Sequence, residues 1–128
     1  MLKKLLGGYD MALALKHYKN GDIAKARVYL NRYFGRGIDE DPVAISFDAT
    51  IFILEGRSEQ AAMRFAKGRE LANHGLTDSD ATYVKSYCLY YECLIADGHN
   101  CDEHSEAARK VAGSAKVAKW LTLPEGSF

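Results

Sequence analysis

The chain is expected to be all-α: about six helices paired as three antiparallel hairpins in a single domain spanning residues 1–128. Three observations predict this. Apolar residues recur at three- and four-residue steps, as in Tyr9 and Leu13 and then Ile23, Ala26, Leu30, Tyr33, and no segment shows the alternation of a half-buried strand. The only prolines are Pro42 and Pro124, so residues 43–123 carry no helix breaker of that kind. Glycines and capping residues recur between the apolar stretches at regular distances.

Each element has its own start and stop signals, with boundaries good to a few residues. The first helix is expected over about 4–19, ending at Gly21. Asp22 is a plausible N-cap for the second, over 23–35. Asp41-Pro42 places an N-cap before a proline at the first helical position, opening a third helix over 42–55 that Gly56 closes. Ser58 can cap the fourth, over 58–73, with Glu59 in its favourable first turn and Gly75 after it. Asp78 or Ser79 starts the fifth, over 79–97, which stops before Gly98. Asp102 opens the sixth, over 102–121, where Lys116 and Lys119 suit a C-terminus and Gly113-Ser114 is expected to weaken and bend the helix.

The hairpins repeat. Gly21 and Gly56 lie 35 residues apart, and aligning them matches Ala14 with Ala49, Ala26 with Ala61, and Leu30 with Phe65. Closely crossing helices need small side chains at the crossing, and a bulky one beyond fills the groove to the next pair. The run Gly21-Asp22 through Ala26 to Leu30 resembles a tetratricopeptide-repeat (TPR) motif, and the resemblance covers about residues 7–73. It implies a short right-handed solenoid of stacked hairpins. The third unit departs from the pattern. Aligning Gly98 puts Tyr91 at the small position, and the next alanine, Ala107, comes nine rather than five residues after the glycine. The segment HNCDEHSE therefore reads as a lengthened turn or a late helix start.

Length and composition fit an ordinary globular domain: 128 residues, 48% apolar and 27% charged. The net charge is zero, which argues against a general nucleic-acid binder. The distribution is uneven. Residues 1–37 hold eight Lys/Arg against two acids (+6), and residues 38–60 hold Arg57 against six acids (−5). Two solvated faces are the plain explanation; a basic docking surface or head-to-tail association is the sharper one. Three cysteines, Cys88, Cys93 and Cys101, suggest no disulfide framework and fit a reducing cytoplasm. The N-terminal MLKKLLGGYD is too short for a signal-peptide core or a membrane span. A weak interfacial anchor is one reading of it and a frayed first turn the expected one.

In TPR proteins the first helix of each pair lines a concave groove that commonly holds a peptide. The resemblance therefore implies groove positions Met11, Leu15, Tyr18 and Lys19 in the first unit, Ser46, Thr50, Ile53 and Leu54 in the second, and Lys85, Cys88, Glu92 and Ile95 in the third. Met11 and Leu15 stand where a carboxylate-clamping groove would need polar groups, so that ligand is rejected. An apolar helix or extended segment of a partner protein suits the set better. The alternative is that these side chains pack on a terminal helix or on a second subunit, giving a homo-oligomeric assembly protein.

Other constellations are weaker. Tyr83, Tyr87, Tyr90 and Tyr91 form a stripe on the fifth helix, expected in the core with hydroxyls reaching its edge. His99, Cys101 and His104 do not make a recognised closed zinc framework, and no second CxxC or HxxxH supports them. Cys88 and Cys93, five apart on a helix, face different directions. No phosphate loop or local catalytic signature is present. The expectation is a non-catalytic interaction module without metal or cofactor, binding neither nucleic acid nor membrane, with an enzyme or metal protein built on the Cys/His turn as a minor alternative.

Overall fold

The computed structural model describes residues 2–123, and it is all-helical over them, with no strand. The elements are α1 (Leu2–Lys19), α2 (Ile23–Gly35), α3 (Pro42–Leu54), α4 (Ser58–Leu71), α5 (Asp78–Ala96), α6 (Asp102–Ala112) and a 3-10 turn (Lys116–Lys119). α1 packs along α2, α3 along α4 and α5 along α6. The short links within each pair make these three antiparallel hairpins. α4 packs broadly on α5, whereas the seam between α2 and α3 is narrow. The arrangement is that of a small, repeat-like helical bundle.

The turns show why the hairpins close where they do. Gly21, Gly56 and Gly98, the three glycines aligned from sequence, all sit at positive φ, at 79°, 76° and 74°. Only glycine enters this region freely, and it lets the following N–H turn back on the helix. In the first two turns the residue after the glycine donates: Asp22 N–H to the His17 carbonyl and Arg57 N–H to Phe52, both at 2.8 Å. In the third, Gly98 itself donates to the Cys93 carbonyl at 3.0 Å. That shift by one residue is part of why the third unit fits the repeat poorly.

The predicted caps hold in two places and fail in one. Asp22 accepts from Lys25 N–H at 3.1 Å, and Asp41 accepts from Val43 N–H at 2.9 Å ahead of Pro42. Ser58 does not cap α4; it is the first helical residue and follows Arg57, whose side chain makes no capping bond. Thr77 caps α5 by accepting from Asp80 N–H at 3.3 Å.

Two boundaries need correction. α1 is helical from Leu2, so its first turn is formed, not frayed. α6 ends at Ala112 rather than near 121, because Gly113-Ser114 breaks it outright. The chain then turns back across the start of α5. Val117 N–H donates to the Asp80 carboxylate at 3.3 Å and the Tyr83 hydroxyl donates to the Leu121 carbonyl. Val117, Leu121 and Leu123 are buried there.

The core follows the repeat. Ala14, Ala26, Ala49, Ala61, Leu30 and Phe65, the six matched positions, are all 0% exposed. In α6 the small residues turned into the core are Ser105 and Ala108, while Ala107 is half-buried. The α5 tyrosines are core: Tyr91 stacks on Phe65 with centroids 5.1 Å apart, and the Tyr87 and Thr50 hydroxyls lie 2.8 Å apart. Burial raises the pKa values of Tyr83, Tyr87, Tyr90 and Tyr91 above that of an ordinary phenol, so their hydroxyls stay protonated.

The uneven charge of the sequence is partly consumed inside the fold. Asp48 on α3 is 3% exposed and pairs with Arg27 of α2 and, at 2.8 Å, with Arg64 of α4. Arg27 also forks onto Glu55, with nitrogen–oxygen distances of 3.2 and 3.0 Å. Its guanidinium lies 4.4 Å from the centroid of Phe52. The basic first segment thus holds the acidic second one directly.

Candidate functional site

A cleft of about 920 Å³ lies at the end of the molecule where α1, α3 and the 3-10 turn come together. Its apolar lining comes from Met11 of α1, Ile38 of the α2–α3 connection, Val43 of α3, and Val117 and Trp120 of the C-terminal segment. Lys3 and Lys4 from the first turn of α1, with Lys116 and Lys119 from the 3-10 turn, bring four ammonium groups to its walls. Asp39, Glu40 and Asp41 stand on the connecting loop. Asp41 is already engaged, accepting from the Tyr33 hydroxyl at 2.9 Å besides capping α3. Asp39 and Glu40 are exposed.

Local sequence explains how the cleft is held open. Gly7 lets α1 approach the loop, since a Cβ there would lie 2.5 Å from the Ile38 side chain. Gly37 turns the chain at φ 82°, close to the Lys3 side chain. Asp10, buried, takes the Arg36 guanidinium at 2.7 Å and so ties the end of α2 to α1. The cleft's volume lies in the range of small-ligand and peptide pockets, with an apolar lining and a few polar groups, as such pockets usually have.

Of the groove residues expected from sequence, only Met11 lines this cleft. Leu15 and Tyr18 are half-buried, and Tyr18 sets its ring edge against Phe47 at 5.4 Å. Lys19 is exposed at the end of α1. Ser46, Thr50 and Cys88 must be struck from the groove, because they are buried in the seam among α3, α4 and α5. There Ser46 donates to the Pro42 carbonyl at 2.7 Å and meets the Cys88 sulfur at 3.1 Å, while the Thr50 hydroxyl lies 3.0 Å from the Ser46 carbonyl. Burial pushes the Cys88 thiol up to about 12, which leaves it protonated and unreactive. Ile53 and Ile95 are half-buried and Leu54 is exposed. Lys85 is half-buried, and Glu92 accepts from Arg69 of α4 at 2.6 Å.

The residues that sequence reasoning missed are Lys3, Lys4, Val43, Lys116, Val117, Lys119 and Trp120. Lys116 and Lys119 were read as the C-terminus of a long helix. The signal that could have found them was the Gly113-Ser114 pair followed by the chain's single tryptophan.

The cysteines overturn one expectation. Cys93, in the last turn of α5, and Cys101, just before α6, form a disulfide with Cα atoms 5.7 Å apart. The spacing of eight residues spans the lengthened turn and brings the two sulfurs together, although Cys88 and Cys93 do point apart as expected. A disulfide also removes the support that cysteine usage lent to a reducing cytoplasm. It commits Cys101, so the His99–His104 turn is a cross-linked corner. Among the described residues no helix is long and apolar enough to cross a membrane.

A second, shallower hollow of about 390 Å³ lies between α2 and α4 over Phe34, Phe52 and Met63. Its arginines, Arg27 and Arg64, are the ones spent on Asp48. No family model, curated protein or solved structure matches the chain.

Proposed function

We propose that this chain is a non-catalytic protein-interaction module of degenerate TPR type, and that the cleft between α1, the 37–43 connection and the C-terminal 3-10 turn receives a short segment of a partner protein. The observation that carries the reading is the cleft itself: an open apolar floor beside exposed lysines and carboxylates, built from three separate parts of the chain. An extended peptide has apolar side chains for such a floor and backbone or charged groups for its polar rim. The TPR assignment is supported by the six repeat positions that are fully buried and by the three aligned glycines at positive φ. The reading moves the expected binding surface from the middle of the helix row to its N-terminal end.

Against catalysis stands the state of the reactive side chains. Cys88 is sealed and protonated, Cys93 and Cys101 are joined, and the tyrosines at the centre of α5 are buried in mutual packing. None of them opens on the cleft.

The test is selection from a displayed random-peptide library with the full chain as bait. The expected result is a convergent peptide motif whose binding weakens at least about tenfold in Trp120→Ala and in Lys119→Glu, a loss of roughly 1.4 kcal/mol or more. Leu54→Ala, outside the cleft, should leave binding unchanged. Convergent peptides indifferent to Trp120→Ala and Lys119→Glu would remove the cleft from consideration, and loss on Leu54→Ala alone would return the site to the groove expected from sequence.

A further inference from the structure

α1 carries a second surface, set apart from the cleft's apolar floor. Its buried positions are Gly7, Asp10, Met11 and Ala14. Leu2, Leu5, Leu6 and Tyr9 follow i, i+3, i+4, i+7 spacing and are 67%, 72%, 36% and 65% exposed. At about 100° per residue these four share an arc roughly 100° wide on the side of the helix away from the buried positions. Exposed apolar residues scattered singly are ordinary, but four on one continuous stripe mark an interaction surface.

Shape and charge select the occupant. The stripe is the ridge of one helix at the end of the stack. A partner helix docking by its apolar face is received in a groove, which this ridge does not offer. A bilayer interface requires no groove and accepts a helix lying in its plane. Of the α1 lysines, Lys16 falls within the stripe's arc and Lys19 beside it, and the helix's single acid, Asp10, is buried against Arg36. A second copy laid parallel along this helix would set Lys16 and Lys19 against their own counterparts, which disfavours a parallel homodimer here. Lys3 and Lys4, with Lys116 and Lys119, line the cleft on the opposite side of α1 and take no part in this face.

We propose that the outer face of α1 is a peripheral docking surface for an anionic phospholipid bilayer. Leu2, Leu5, Leu6 and Tyr9 enter the boundary between headgroups and acyl chains, and Lys16 and Lys19 on the same side of the helix meet the lipid phosphates. Such binding is reversible and sensitive to salt, because a few leucines fall short of a stable anchor without the electrostatic contribution. The inference departs from the expectation of no membrane partner, which rested on the absence of a long apolar segment. It stands apart from the peptide reading of the cleft.

Co-sedimentation of the full chain with vesicles tests it, using an equal mixture of phosphatidylcholine and phosphatidylserine beside phosphatidylcholine alone. The mixed vesicles should bind the protein at low salt at least about tenfold more tightly than phosphatidylcholine. Leu2→Ser combined with Leu5→Ser should weaken that binding by about tenfold or more. Lys16→Gln combined with Lys19→Gln should weaken it on the order of tenfold and flatten its salt dependence. All four side chains are exposed, so helicity and melting temperature should stay unchanged and report a folded protein. Failure of the wild-type chain to bind mixed vesicles overturns the proposal, as does binding that ignores the leucine substitutions. Concentration-dependent self-association that those substitutions abolish overturns it too, by assigning the stripe to a second copy.

Discussion

Single residues carry the closest approaches in this fold, and Gly68 is the clearest. It lies inside α4, where alanine is normally the better residue by about 1 kcal/mol. A Cβ there would meet the Ser46 Oγ at 2.5 Å and the Cys88 sulfur at 3.4 Å. Neither neighbour has room to yield, because Ser46 is 0% exposed and holds the Pro42 carbonyl, and Cys88 is equally buried. Overpacking of this kind costs about 1–3 kcal/mol, so Gly68→Ala should destabilise the protein by a net of up to about 2 kcal/mol despite its helix propensity. Adding Ser46→Ala removes the nearest atom and should recover part of the loss. Urea denaturation of the two single variants and the double variant measures the coupling, and additive effects would show that the clash is relieved elsewhere. The same crowding explains why Ser46, Thr50 and Cys88 were misplaced in a groove. Helical periodicity marks the side of α3 and α5 that faces inward, but it does not tell a groove from a seam already filled by a neighbour.

At the scale of elements, hairpin turns were the most legible feature. A glycine at a helix end followed by a capping acid dictates the reversal locally, so Gly21-Asp22 was readable without tertiary knowledge, as was the start of α3 from Asp41 capping ahead of Pro42. The sixth helix was not. Residues 114–121 contain alanines, lysines and apolar residues at helical spacing, yet burial of Val117 and Leu121 against α5 overrides that propensity. The corner between α5 and α6 is held in another way. Cys101 occupies the N-cap position of α6 without a side-chain capping bond, and Asn100 before it takes φ 60°. Asp102 and Glu103 in the first turn help the helix start, but the Cys93–Cys101 disulfide fixes where it starts. Closing a loop this short restrains the unfolded chain by about 2–3 kcal/mol at 25 °C in the loop-entropy account. Cys93→Ser combined with Cys101→Ser should therefore lower stability by roughly that amount, with α6 the first element to lose protection. Reduction of the wild-type protein should produce the same shift in its urea midpoint. Two titratable free thiols at these positions in the native protein isolated under non-reducing conditions would contradict the assignment.

The whole molecule is held together unevenly, and this decides how it opens. α4 and α5 share a broad seam that unites the second and third hairpins, and the aromatic cluster of Phe65, Tyr87 and Tyr91 lies across it. The first hairpin meets α3 along a narrower seam. There the attachment rests on Arg27 with Asp48 and Glu55, on Tyr18 against Phe47, and on Arg64 of α4 against Phe34 of α2 at 4.8 Å. Polar attachments contribute less net stability than apolar area of the same extent, because each charge was solvated before folding. A stack with one thin seam should open there first, as a cooperative unit below the global free energy. In native-state hydrogen exchange the most protected amides of α1 and α2 should show an opening free energy roughly 1–3 kcal/mol below those of α4 and α5. Arg27→Ala sharpens the expectation. It strips Asp48 of one partner while the carboxylate stays buried, and it should cost about 2–4 kcal/mol. That cost should appear as faster exchange throughout α1 and α2, with α4 and α5 less affected. Equal protection across all three hairpins, moving together in Arg27→Ala, would mean that the seam is not a boundary and that the domain opens only as one unit.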